Sequence, residues 1–415
     1  MIPGSRGQVV EPPARTTGCS NSFSVVVNRI SFQGAVVRRC LVLVVLAALV
    51  GGALVGAGVG RASGSSDPAT SRPGTFHNPI RDGLTGSPLS CPDPSVIKHK
   101  QGPWNYFLIC TSDTALNAFP IWKSIDLVHW YPDGWVFPHG KQPWWALPST
   151  GSVHEGRYWA PAIYRVQGRW VLYFATTYNT AAEDTGSYEL GSHTMVLGAA
   201  TATSLAGPWH TELLHYRGEL NGQNGPKAQE HVGGDIDPAL VRDPSTGQLY
   251  MFWAEQTRQI WVAPVSADGL TLGPKMRLAV TISRPWECDG ACVVEGPEPF
   301  FHAGRLYVMY SGASTWNSSY AVGVAATSDP MGSDAPFDKY PDPILGSAPG
   351  FLGPGGVAEP VENPAGRLMV MYHALLNDDA HHVSADRYLS IGALNWVDGW
   401  PLIGDGKAGD SGTAP

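Results

Sequence analysis

Three acids in this chain of 415 residues, Asp93, Asp237 and Glu295, occupy or adjoin one repeated position. Asp93 and Asp237 stand directly before prolines, and Glu295 precedes Gly296-Pro297. Gathered in one pit, such acids supply what sugar hydrolysis needs. One carboxylate deprotonates water, a protonated carboxyl serves the leaving oxygen, and a third charge tunes the second. A like charge nearby raises a carboxyl pKa and keeps that acid protonated near neutrality. Taken singly, an Asp-Pro pair reads as a turn whose Asp bonds local amides. The phase shared by three of them points to chemistry instead.

The elements that must position these acids repeat with them. The phrase reads Asp93-Pro94-Ser95-Val96, Ala160-Pro161-Ala162-Ile163, Asp237-Pro238-Ala239-Leu240, Gly296-Pro297-Glu298-Pro299 and Glu359-Pro360-Val361-Glu362. A turn and an aromatic strand follow each copy, and Tyr106, Tyr173, Tyr250, Met309 or Tyr372 lies twelve residues beyond its proline. The prolines are 67, 77, 59 and 63 residues apart, a period that suits a four-stranded sheet with its loops. Self-similarity at this period predicts radial repetition, here an all-β, five-bladed β-propeller. In that architecture the first strand of each blade lines the central channel, so residues at the strand heads converge on the axis. Blade two carries Ala160 at this position, so the acids are not simply part of the repeat.

Composition agrees. With 49 Gly and 35 Pro between short β-branched and aromatic runs, an all-β chain full of turns is expected. The formal charge of −8, with 27 basic residues spread thinly, offers no stripe for nucleic acid. Residues 1–62 read as a leader. Cys40 to Gly60 is uncharged and mostly apolar, follows Arg38-Arg39 and precedes Arg61-Ala62-Ser63. This describes a cleaved export signal or a retained membrane anchor, and in either case a secreted or cell-surface protein. Residues 63–75 read as a flexible linker, 76–405 as the propeller with Phe76 to Ile80 closing the ring against the last blade, and 406–415 as a disordered tail. Beyond the leader remain Cys91, Cys110, Cys288 and Cys292, an even number that reads as disulfides after export. Cys91 and Cys110 flank a turn nearly symmetrically, and Cys288 with Cys292 would close a tight loop ahead of Glu295.

The ordered set Cys91-Pro92-Asp93-Pro94-Ser95-Val96, Tyr158-Trp159-Ala160-Pro161, Asp235-Ile236-Asp237-Pro238-Ala239-Leu240 and Glu295-Gly296-Pro297 resembles glycoside hydrolase family 43 over residues 76–403. The resemblance implies a five-bladed propeller that cleaves arabinofuranosyl or xylosyl linkages with inversion. It implies Asp93 as general base, Asp237 as pKa modulator and Glu295 as general acid, with Glu298 as the rival to Glu295. It further implies Arg387 near the substrate, and His373 at a strand end facing a central cation, for which calcium is the expected guest. No cofactor is required for the chemistry, and the protein is expected to act as a monomer on carbohydrate. Trp159 is a candidate wall for a sugar face, and Trp144-Trp145 a candidate stacking pair. Where many members place an acid this chain has Ala162, and Gly353-Pro354-Gly355-Gly356 lacks a histidine that some carry, so substrate stays open. Two other readings remain. One is a retaining fructosidase-like propeller, whose Arg-Asp-Pro motif is echoed by Arg242-Asp243-Pro244. The other is a catalytically silent propeller that binds glycan or protein.

Overall fold

The computed structural model describes residues 75–147, 156–178, 195–216, 234–255, 257–332, 335–377, 383–409 and 411–412. The expected leader and linker lie outside the described residues, apart from Thr75. Among the described residues no helix is long and apolar enough to cross a membrane.

Five antiparallel sheets form an all-β, five-bladed propeller. Blade one is built from Ser95–Gln101, Trp104–Ile109, Ala118–Ser124 and His129–Phe137, and blade two from Tyr158–Val166, Arg169–Thr177, Met195–Ala202 and His210–Leu213. Blade three uses Asp235–Arg242, Leu249–Glu255, Gln259–Val265 and Arg277–Thr281, and blade four Val294–His302, Arg305–Gly312, Ala321–Thr327 and Asp338–Lys339. In blade five Phe351–Gly355 and Val361–Glu362 share the innermost place beside Leu368–Asn377, followed by Val383–Val397 and Trp400–Ile403. Apolar side chains alternate off both faces of the strands and meet between blades. Phe174, for example, packs among Phe119, Phe137, Trp145 and Tyr158. Trp130, on the fourth strand of blade one, is fully buried and donates its indole N–H to Leu127 O.

Ring closure differs in detail from the expectation. Phe76–His77 pairs with Ser411–Gly412 rather than lying outermost in the last blade, a place held by Trp400–Ile403. Ile80 N–H then donates to Leu389 O, and Arg81–Asp82 runs parallel to His129–Phe137, so this segment binds blade five to blade one. Of the stretch 406–415 read as a tail, residues 406–409 and 411–412 are among those described. Ala408 is buried, and the pairing of Ser411–Gly412 gives backbone groups a partner that a free end would lack. Of the three pairings that the four cysteines allow, Cys91–Cys110 with Cys288–Cys292 is the one that forms, with Cα atoms 5.1 and 3.8 Å apart.

Blade five corrects the register read from the sequence. In blades one to four the residue before the repeated proline has a positive φ: Asp93 48°, Ala160 44°, Asp237 57° and Gly296 58°. The equivalent in blade five is Gly356, φ 52°, because Gly355 opposes His373 as Glu295 opposes Ser311 and Trp159 opposes Ala175. Glu359-Pro360 therefore lies three residues further along the channel, where Val361 opposes Met369. Glycine is required at 356. A Cβ there would come within 2.5 Å of the His373 ring and 2.9 Å of Asp93 Oδ1.

Candidate active site

The left-handed residues are what turn the acids inward. Register shifts between Trp159 and Ala162, between Ile236 and Ala239, and between Glu295 and Glu298 mark a bulge at the head of each of these strands. A bulge re-aims the side chains beside it. Around the hub the N–H of four of these residues is taken up by the preceding blade. Ala160 N–H donates to Thr111 Oγ1 at 2.7 Å, Gly296 N–H to Asp237 Oδ2 at 2.8 Å, Gly356 N–H to Ser311 Oγ at 3.0 Å, and Asp93 N–H to His373 Nδ1 at 3.2 Å. Thr111, Ser311 and His373 hold corresponding places at the ends of the second strands, where blades two and three have Ala175 and Ala254. Asp237 is thus both a hub link and a candidate catalytic group.

Asp93, Asp237 and Glu295 line one cavity of about 280 Å3 at the mouth of the channel, together with Trp159, Trp316 and Arg387. Their charge states are set differently. Burial works to raise the Asp93 pKa. It is outweighed by the Arg387 charge and by hydrogen bonds from Thr111 and Arg387, which hold this carboxyl below its ordinary value. Thr111 Oγ1 donates to Asp93 Oδ2 at 2.7 Å and Arg387 Nη1 to Oδ1 at 2.9 Å. Glu295 moves the other way. Burial lifts it to about 7, with help from the Asp93 charge and against a hydrogen bond donated by Tyr320 at 2.7 Å. Asp237 is pushed well above the usual carboxylate range by burial and then by the charges of Glu295 and Asp93. Asp237 and Glu295 therefore ionise as a pair and retain a proton between them at neutral pH. One acid held ionised and another held protonated, in one chamber, is the equipment for concerted acid–base work on a single bond.

The remaining expected residues separate. Arg387 stands in the site, bound to Asp93, with its guanidinium carbon 5.7 Å from the ring of the exposed Trp316. Trp159 lines the cavity, donates its indole N–H to Asp113 Oδ1 at 2.8 Å and has Arg157 stacked over it. The tryptophan pair divides: Trp145 is buried against Phe174, while Trp144 is 78% exposed. Glu298 also reaches the cavity lining, but burial and the Glu359 charge hold it well above its usual pKa, and its buried Oε1 has no hydrogen-bond partner. Asp243, of the Arg242-Asp243-Pro244 echo, lies in the turn at the other end of its strand, where it accepts from Ser245 and Thr246.

His373 does not fit as a direct cation ligand. Burial, then the Arg387 charge, pull its pKa down to about 3, so the ring is neutral. Its Nδ1 lone pair accepts the Asp93 N–H, which leaves the proton on Nε2, a buried donor with no protein partner. A calcium ion would ask for oxygen ligands. Among the described residues no three His, Cys, Asp or Glu side chains come together to hold a metal. Thr111, Tyr320 and Trp316 belong to the site without having been visible in the repeat. Thr111 sits just past a strand, and the other two lie on the loop between Arg305–Gly312 and Ala321–Thr327.

Residues 77–401 match the family described as glycosyl hydrolases family 43. An extracellular exo-α-(1→5)-L-arabinofuranosidase of Streptomyces chartreusis is 25% identical over 74% of this chain and 87% of its own length. An α-L-arabinofuranosidase 43 of Humicola insolens is 24% identical over 68% of this chain, which spans about half, 54%, of that relative. The crystal structure of a thermostable family-43 glycoside hydrolase, 23% identical, superposes with a TM-score of 0.61 over 79% of this chain and 95% of its own. With the family pattern matched across nearly the whole propeller, the chain belongs to family 43 of the glycosyl hydrolases.

Proposed function

We propose that the protein hydrolyses α-L-arabinofuranosyl linkages by a single displacement that inverts the anomeric carbon, with xylosyl linkages as the second substrate class of the same site. The observation that carries this reading is the opposite protonation of Asp93 and Glu295 around one cavity. Ionised Asp93 takes a proton from a water whose oxygen bonds to the anomeric carbon. The bond from that carbon to the leaving oxygen breaks on the opposite face, and Glu295 gives that oxygen its proton. Asp237 and Glu295 hold a proton between them, the charge on Glu295 raising Asp237. Arg387 and Thr111 keep Asp93 charged and oriented, and Trp159 with Trp316 offers aromatic faces to the sugar. The relatives named above for arabinofuranosidase activity support the choice of sugar.

The fructosidase-like reading draws no support from Asp243, which stands in a turn and not in the cavity. The test is a panel of aryl arabinofuranosides, xylosides and fructosides with linear arabinan, the first-formed sugar being followed by proton NMR. Release of arabinose with inverted configuration is expected. Retained configuration would overturn the mechanism, and no release from any substrate would favour a silent glycan-binding propeller.

A further inference from the structure

We propose that Tyr320 is a positioning residue for the general acid, fixing the Glu295 carboxyl through a hydrogen bond whose donor is held in place by packing against blade five. The inference rests on the reading of Glu295 as proton donor. Tyr320 donates to Glu295 Oε1 at 2.7 Å, and Gly356 N–H donates to the neighbouring Ser311 Oγ at 3.0 Å. Three blade elements thus meet around this tyrosine. Gly356 lies beyond the innermost strand Phe351–Gly355 of blade five, Ser311 is on the second strand of blade four, and Tyr320 is the loop residue just before its third.

The seat of Tyr320 is built into the packing. Tyr320 is 3% exposed and its ring lies parallel to His373, with centroids 6.1 Å apart and planes 11° apart. Gly355 makes room for it, since a Cβ at that position would fall 2.0 Å from Tyr320 Cε1 and 3.0 Å from Ser311 Oγ. A tyrosine loop residue without such a seat would lose more side-chain freedom in holding one carboxyl than the bond returns. Here the orientation is already fixed by neighbours. Burial, then the Glu295 charge, keep the Tyr320 hydroxyl protonated far into the alkaline range, so it is a donor throughout the working pH.

A donor held against a carboxylate favours its ionised form. Tyr320 therefore opposes the burial and the Asp93 charge that raise Glu295, acting in the same direction as Arg387, while Asp237 shares the pair's proton. The opposition brings Glu295 to a value at which it holds its proton near neutrality and still releases it readily, the compromise that proton transfer demands. Without Tyr320 the acid would be too weak and free to turn away from the leaving oxygen.

The experiment is a carbon-13 NMR titration of the full chain labelled at glutamate Cδ, the Glu295 signal being identified by its loss in Glu295→Gln. It is run beside pH profiles of kcat and KM on an aryl arabinofuranoside. Tyr320→Phe keeps the ring and its stacking and removes only the hydroxyl. In that variant the Glu295 midpoint is expected to rise by about one pH unit, the alkaline limb of kcat to follow it, and kcat at the optimum to fall about tenfold with little change in KM. A Glu295 midpoint unmoved in Tyr320→Phe would overturn the proposal even if activity fell. Full activity in Glu295→Gln would instead overturn the proton-donor reading, while the titration would still decide whether Tyr320 governs this carboxyl.

Discussion

Glu295 and Glu359 stand at two depths of the same channel, and both carboxyls are pushed up to about 7, but by different surroundings. Glu295 is flanked by groups that pull in both directions: Asp93 and burial upward, Tyr320 and Arg387 downward. Around Glu359 no charged group acts: the channel wall alone raises it, and the residue is itself exposed to water. Glu359 lines a second cavity of about 460 Å3 at the far ends of the innermost strands, with Tyr164, Phe300 and Arg242. Glu298 lies between the two levels, lifted by burial and by Glu359, with one oxygen unbonded. A raised pKa alone therefore does not mark a catalytic acid. What marks it is an ionised partner across an open cavity and a donor that fixes its direction.

The largest effect that would break this comparison concerns the upper set. Glu295→Gln and Asp93→Asn are each expected to lower kcat on a poor leaving group by about 10²- to 10⁴-fold, while Glu298→Gln and Glu359→Gln stay within about threefold of wild type. Steady-state rates on an alkyl arabinofuranoside check this, and an equally large loss in Glu298→Gln would erase the distinction.

A smaller effect sharpens the role of Asp237. The pair keeps one proton because two charges there would repel; Asp237→Asn leaves Glu295 without that second carboxyl, so it should lose its proton more readily and the alkaline limb of kcat/KM should move down by about one pH unit. A limb that stays in place would remove Asp237 from the tuning and leave it as the acceptor of the Gly296 N–H.

The smallest effect is on stability. The native-state pKa of Glu298 is raised, so the folded chain keeps a proton that the unfolded chain loses above about pH 4.3. Its contribution to stability is therefore undiminished below that value and declines as pH climbs through the native pKa. Glu298→Gln should raise the melting temperature at pH 8 by about 2–4 °C and leave it unchanged at pH 4. Equal melting curves at both pH values would show that water already relieves this carboxyl.

The same contrast explains what the sequence revealed. Blades one to four announced themselves because a left-handed residue directly before proline heads each innermost strand, and Asp93, Ala160, Asp237 and Gly296 fill that place. Blade five satisfied the geometry with Gly356 followed by Val357, a pair that leaves no motif, while Glu359-Pro360 imitated the phrase three residues too late. The three acids were legible because they ride on the repeat. Arg387 was reached only through family resemblance. Tyr320 and Thr111 were hidden because a loop residue and a strand-end hydroxyl acquire meaning only when neighbouring blades bring Glu295, Asp93 and Ala160 to them. The role of His373 depends on which nitrogen holds the proton, and that is decided by the Asp93 N–H, 280 positions away in the chain.

The central claim is that Asp93 and Glu295 share one chamber in opposite protonation states. Its most direct test is the pH dependence of kcat/KM, measured for wild type on an alkyl arabinofuranoside and for Glu295→Gln on a dinitrophenyl arabinofuranoside whose leaving group needs no proton. The account predicts a wild-type bell with its alkaline limb near 7 and no such limb in Glu295→Gln. A wild-type rate that keeps rising through pH 8, or an alkaline limb that survives in Glu295→Gln, would contradict it.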